Sequence, residues 1–141
     1  DGGQTPKALA EQMEKTEAEL LKIGSDDAKA IAHRLAAARS ALLDVVNFIV
    51  ETASSNPNAA YAGSVPYLML AGNVISGWQL ARSYAAAHQA LANGDSDTAF
   101  LQAKQVTARF YADHILSKAP SVRDGIVEGA ESVTAMALEA F

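Results

Sequence analysis

Three histidines, His33, His88 and His114, are the side chains in this 141-residue chain best suited to titrate near neutrality or to hold a metal. A di-iron helical bundle needs Glu-x-x-His pairs, so that a carboxylate and an imidazole leave one helix face together. The residues three positions before the histidines are Ala30, Ala85 and Tyr111, so that pattern is absent each time. No cysteine occurs, which removes disulfides, thiolate metal sites and a cysteine nucleophile, and matches a reducing cytoplasm. Ser54 and Ser55 lack a Gly-x-Ser-x-Gly elbow, and Gly72 and Gly77 have no preceding strand to form a dinucleotide turn. His33 reads as solvent-exposed and His88 as an imidazole placed near the negative end of a helix. His114, beside Asp113, reads as half of a hydrogen-bonded pair with a structural role. These residues assemble no active site, and the sequence assigns no catalytic, cofactor-binding or metal-ligating residue.

The elements that carry these side chains are helices. Half of the residues are hydrophobic and thirty are alanine, which favours helix and close approach between helices. Thr5 before Pro6 is the expected cap of a first helix, with apolar positions Leu9, Met13, Leu20 and Ile23, and Gly24 stops it. Ser25, Asp26 and Asp27 cap a second helix whose stripe runs Ala28, Ile31, Leu35, Ala38, Leu42, Val45 and Ile49. Residues 54–64 read as loop. A third helix is expected from near Pro66 to Asn93–Gly94, with Tyr67, Leu70, Val74, Trp78, Ala81, Ala85 and His88 inward and Gln79, Arg82, Ala86, Gln89 and Asn93 outward. A fourth follows Asp95–Asp97 and ends at Ala119–Pro120. Ala99, Phe100, Ala103, Val106, Phe110 and His114 are expected inward, with Gln102, Gln105, Arg109 and Asp113 outward. The tail from Ser121 forms one or two short helices, broken at Gly125 and Gly129. The expected fold is all-α: a single-domain up-down-up-down four-helix bundle over residues 1–141.

Charge narrows the partners. The net charge is −5, and residues 1–27 hold seven acids against three lysines, so a nucleic-acid backbone is not an expected ligand. Residues 52–81 carry no charge, but Pro57, Pro66 and several amides interrupt the run, so no membrane span is expected. Trp78 is the sole tryptophan, a core aromatic on a small-residue helix. Arg82 and Arg109 lie on outer faces, suited to solvent or to another domain.

The run Gly72–Arg82 resembles the third bundle helix of a C-terminal helical domain found in acyl-CoA dehydrogenases similar to 3-methylmercaptopropionyl-CoA dehydrogenase. Ala103-Lys104 with Thr107–Leu116 resembles its fourth helix, Gly129–Met136 its closing segment, and Asp1-Gly2-Gly3 the junction before its first helix. The resemblance implies a larger FAD-dependent parent that removes hydrogens from the α and β carbons of an acyl-CoA thioester. There a carboxylate base takes the proton and the flavin the hydride. It implies that base, flavin and substrate pocket lie in other domains, so that this chain holds no cofactor. Its partners would be those catalytic domains and a second subunit, in a cytoplasmic homo-oligomer. Trp78, Arg82, Arg109, Phe110 and Tyr111 are the expected packing or interdomain contacts. An autonomous helical interaction module is the competing reading.

Overall fold

Where the sequence signals a helix start or stop, the backbone mostly obeys, and a computed structural model describes residues 1–140. Six α-helices follow one another: α1 (Gln4–Ile23), α2 (Asp26–Thr52), α3 (Pro57–Ala62), α4 (Ser64–Ala92), α5 (Thr98–His114) and α6 (Ala119–Val127). Short 3-10 turns span Leu116–Lys118, Ala130–Thr134 and Leu138–Ala140, and the described residues include no strand. The architecture is the expected all-α bundle of four long helices with short C-terminal pieces.

Gly24 closes α1 at φ 73°, its N–H donating to the Leu20 carbonyl. Ser25 then caps α2, its hydroxyl accepting from the Ala28 N–H at 3.2 Å, with Asp26 and Asp27 in the first turn. The two helices run antiparallel, since Gly3 at the start of α1 lies against Val46 and Val50 near the end of α2. The hydroxyls of Ser25 and Tyr84 meet at 2.9 Å, joining the start of α2 to the later half of α4. Tyr111 on α5 donates its hydroxyl to the Asn73 carbonyl at 3.2 Å, consistent with α5 folding back along α4.

Several boundaries differ from the sequence expectation, each for a local reason. Thr5 is not the cap of α1. The N-cap position is Gly3, and Asp1 before it accepts with its carboxylate from the Gly3 and Thr5 N–H groups at 2.9 and 3.1 Å and from the Thr5 hydroxyl at 2.6 Å. The expected loop at 54–64 contains α3, because Asn56 accepts from the Ala59 N–H and Pro57 suits the first helical turn. α4 begins at Ser64, two residues before Pro66. The fourth long helix stops at His114, and Pro120 opens α6 instead of ending its predecessor.

The core is centred on α2, where Ala28, Ile31, Leu35, Ala38, Leu42 and Val45 are buried against Met13, Leu20, Leu70, Val74 and Leu116. Each large apolar side chain buried this way contributes about 1.5–3 kcal/mol. Arg39 on α2 clamps α1: its guanidinium donates to both oxygens of Glu17 at 2.8 and 3.1 Å and reaches Glu14 at 2.8 Å. The hydrogen bond to Glu17, joined by the charge of both acids, raises the Arg39 pKa above its ordinary value.

The largest departure is the roll of α5. Ala99, Phe100, Ala103, Val106, Phe110 and His114, expected inward, all face outward; Phe100, Val106 and Phe110 are 54, 68 and 60% exposed. Ala108 and Ala112 are buried in their place, and Gln105, Arg109 and Asp113, expected outward, are half-buried. Two alanines on the inner face let α5 lie close to its neighbours. In that roll Arg109 reaches α2 and Tyr111 reaches α4.

Two glycines inside α4 predict opposite stability changes. A β-carbon at Gly77 would come within 2.5 Å of the buried Leu116 side chain, whereas one at Gly72 meets nothing within 4 Å. Gly72→Ala should therefore stabilise the chain by about 0.5–1 kcal/mol through helix propensity. Gly77→Ala should destabilise it by about 1 kcal/mol net, overpacking outweighing propensity. Thermal unfolding of both variants measures the pair; equal shifts would contradict the packing at Gly77.

Candidate interdomain contact residues

The five contact candidates divide between two helices, and three of them bond to a helix other than their own. Trp78 on α4 donates its indole N–H to the Thr16 hydroxyl at 2.9 Å, which explains the polar gap in the apolar stripe of α1. That hydroxyl is buried and also lies 3.4 Å from the Gln12 carbonyl. Arg82, one turn further on, holds its guanidinium 5.6 Å from the Trp78 ring centroid and donates to the Gln79 side chain at 2.9 Å. The indole thus spans the bundle wall, anchored to α1 on one side and lidded by an exposed cation on the other.

On α5, Arg109 donates to Asp113 at 2.7 Å and to Asp27 on α2 at 2.7 Å. The Asp113 hydrogen bond, helped by both carboxylate charges, raises the Arg109 pKa above its usual value. Arg109 is a strap between α5 and the start of α2. Because Asp113 serves Arg109, the expected Asp113–His114 pair is replaced: His114 lies against Phe110, ring centroids 4.5 Å apart. Tyr111 is half-buried through its bond to Asn73, while Phe110 faces outward. Arg82 and Phe110 are therefore the candidates presented to the outside. Trp78, Arg109 and Tyr111 hold the bundle together.

Sequence reasoning passed over Arg39 and Glu17. Glu17 occupies the same stripe of α1 as Met13 and Leu20, an acid at a core register, and that was the available signal. Its partner lies twenty-two residues away, beyond any local pattern.

A surface groove of about 410 Å3 lies between the N-terminus of α1, the end of α2 and Tyr67. Its lining is mainly apolar, with Pro6, Val46, Ile49 and Val50, and its one charged side chain is Asp1. A flavin dinucleotide carries an anionic pyrophosphate, which wants Lys, Arg or a glycine-rich turn, so this lining does not fit it. No group of three or more metal-ligating side chains lies together among the described residues, and none of their helices is long and apolar enough to cross a membrane.

Two comparisons with known proteins bear on this geometry. The family model described as "Acetyl-CoA dehydrogenase C-terminal like" matches residues 9–137. The chain is also 44% identical over 138 residues to a 3-methylmercaptopropionyl-CoA dehydrogenase from Ruegeria pomeroyi (strain ATCC 700808 / DSM 15171 / DSS-3). That alignment covers 98% of this chain and 23% of the relative, so the chain spans about a quarter of the relative's length.

The two arginines separate a structural strap from a surface cation. Arg109→Ala should cost about 1 kcal/mol, and the loss should shrink in high salt because the bridge is partly exposed. Arg82→Ala should change stability by less than about 0.5 kcal/mol. Urea denaturation at low and high salt distinguishes them.

Proposed function

Because this chain belongs to the acetyl-CoA dehydrogenase C-terminal-like family, we propose that it is the accessory helical domain of a larger FAD-dependent acyl-CoA dehydrogenase. The observation that carries the reading is coverage: nearly the whole chain aligns with about a quarter of a named acyl-CoA dehydrogenase. The parent catalyses α,β-dehydrogenation of an acyl-CoA thioester, and when bound there FAD supplies the hydride acceptor. This chain supplies no residue to that step.

Its contribution is packing, on the catalytic domains or on a second subunit. The outward roll of α5 supports this, since Phe100, Val106 and Phe110 stay more than half exposed on it and no other helix among the described residues covers them. Exposed Arg82 and Phe110 are the contact residues of this proposal, with Trp78, Arg109 and Tyr111 holding their helices in register. The cysteine-free composition supports a reducing, cytoplasmic setting.

Expression of the complete reading frame containing this segment tests the reading. The purified product should be yellow with a flavin spectrum and should reduce a dye acceptor only when acyl-CoA is present. The 141-residue chain alone should do neither. A colourless, inactive full-length product would falsify the proposal.

A further inference from the structure

We propose that the outer face of the first half of α4 is a permanent docking face for the catalytic portion of the same polypeptide. The proposal rests on the accessory-domain reading and names the partner of one surface within it. Three independent features of the chain meet on that face.

Val65, Leu68 and Met69 stand at i, i+3 and i+4 on α4 and are 71, 69 and 60% exposed. Tyr61, near the end of α3 just before them, is 72% exposed, and exposed apolar patches on a monomer usually have a use. Second, the helix itself contributes no charge to this face, the basic neighbour being Lys118, which lines a small pocket beside Met69. Residues 52–81 contain no Asp, Glu, Lys or Arg, although many of them are exposed. Solvated helix faces carry charge, and loss of charge marks the centre of interfaces that stay closed.

Third, Gly72 continues the stripe at i+7 and has no reason to be glycine inside this chain. Gly77 and Gly63 are pressed by Leu116 and Ile126, but a β-carbon at Gly72 would touch nothing within 4 Å. An exposed glycine in the middle of a 29-residue helix weakens that helix without any gain in the chain itself. The gain comes when another backbone approaches closely there.

Chain continuity and charge choose the occupant. Two domains of one chain are held at high effective concentration by their tether, so a patch of a few side chains suffices between them. The alignment leaves about three-quarters of the relative's length outside this chain to provide the surface. A bilayer surface is disfavoured, since interfacial helices carry rows of Lys and Arg along their own polar face and residues 52–81 contain neither.

Two of the three methionines make the test direct. Met69 is exposed on the proposed face and Met13 is fully buried. Mild peroxide oxidation, read by mass spectrometry, should modify Met69 readily in the 141-residue chain and about tenfold more slowly in the full-length protein, with Met13 spared in both. Gly72→Leu should leave the melting temperature of the 141-residue chain unchanged or higher, yet restore Met69 oxidation in the full-length protein. Equal Met69 rates in both wild-type proteins would overturn the proposal. So would protection of the 141-residue chain that grows with its own concentration, which indicates a second copy, or protection conferred by phosphatidylcholine vesicles. Flavin absorbance is read on the same full-length sample. Colourless protein with Met69 protected would sink the flavoenzyme reading and support the docking face.

Discussion

The need to enclose α2 governs this structure. Its stripe of alternating small and branched residues is buried over most of its length, about 40 Å at 1.5 Å per residue. α1, α4, α5 and α6 all pack against it. Alanines at 28, 32, 38 and 41 set the spacing, letting neighbours come close enough for Leu35, Leu42 and Val45 to interdigitate with them. The other helices take their tilt and roll from that demand, α5 most of all.

Polar groups then fix what packing alone leaves free to slide. The Ser25–Tyr84, Trp78–Thr16, Tyr111–Asn73 and Arg39–Glu17 contacts each tie two different elements at a defined height. A half-satisfied version of any of them would leave a partly buried polar group without a partner, so register slips are penalised more than the net strength of one bond suggests. The described residues leave no buried side-chain nitrogen or oxygen without a partner.

Local signals in the sequence were read well where the chemistry is local. Gly24 with Ser25 marks the α1–α2 turn, and every residue of the expected α2 stripe is buried except Ile49, which is half-buried; Ala32 and Ala41 are buried beside it. The inward and outward faces of α4 were legible for the same reason. The face of α5 was not. Periodicity reports that Phe100, Val106 and Phe110 share a side; it does not report whether the cover comes from this chain or from another surface. Ala108 and Ala112, too small to register as a stripe, decided the roll. Of the contact candidates, Arg82 faces outward as expected and Phe110 does so against its expected inward face, while the partners of Arg109 and Tyr111 lie far away in sequence.

The placement of Trp78 has a spectroscopic consequence. As the sole indole, bonded to Thr16 on one helix and covered by Arg82 from outside, it makes the chain's tryptophan emission a report on a single seam. Separation of α1 from α4 would remove the donor's partner and wet the ring, shifting the emission to the red. An event at the far end of the bundle would leave it untouched. The domain carries its own optical gauge of whether that one wall is closed.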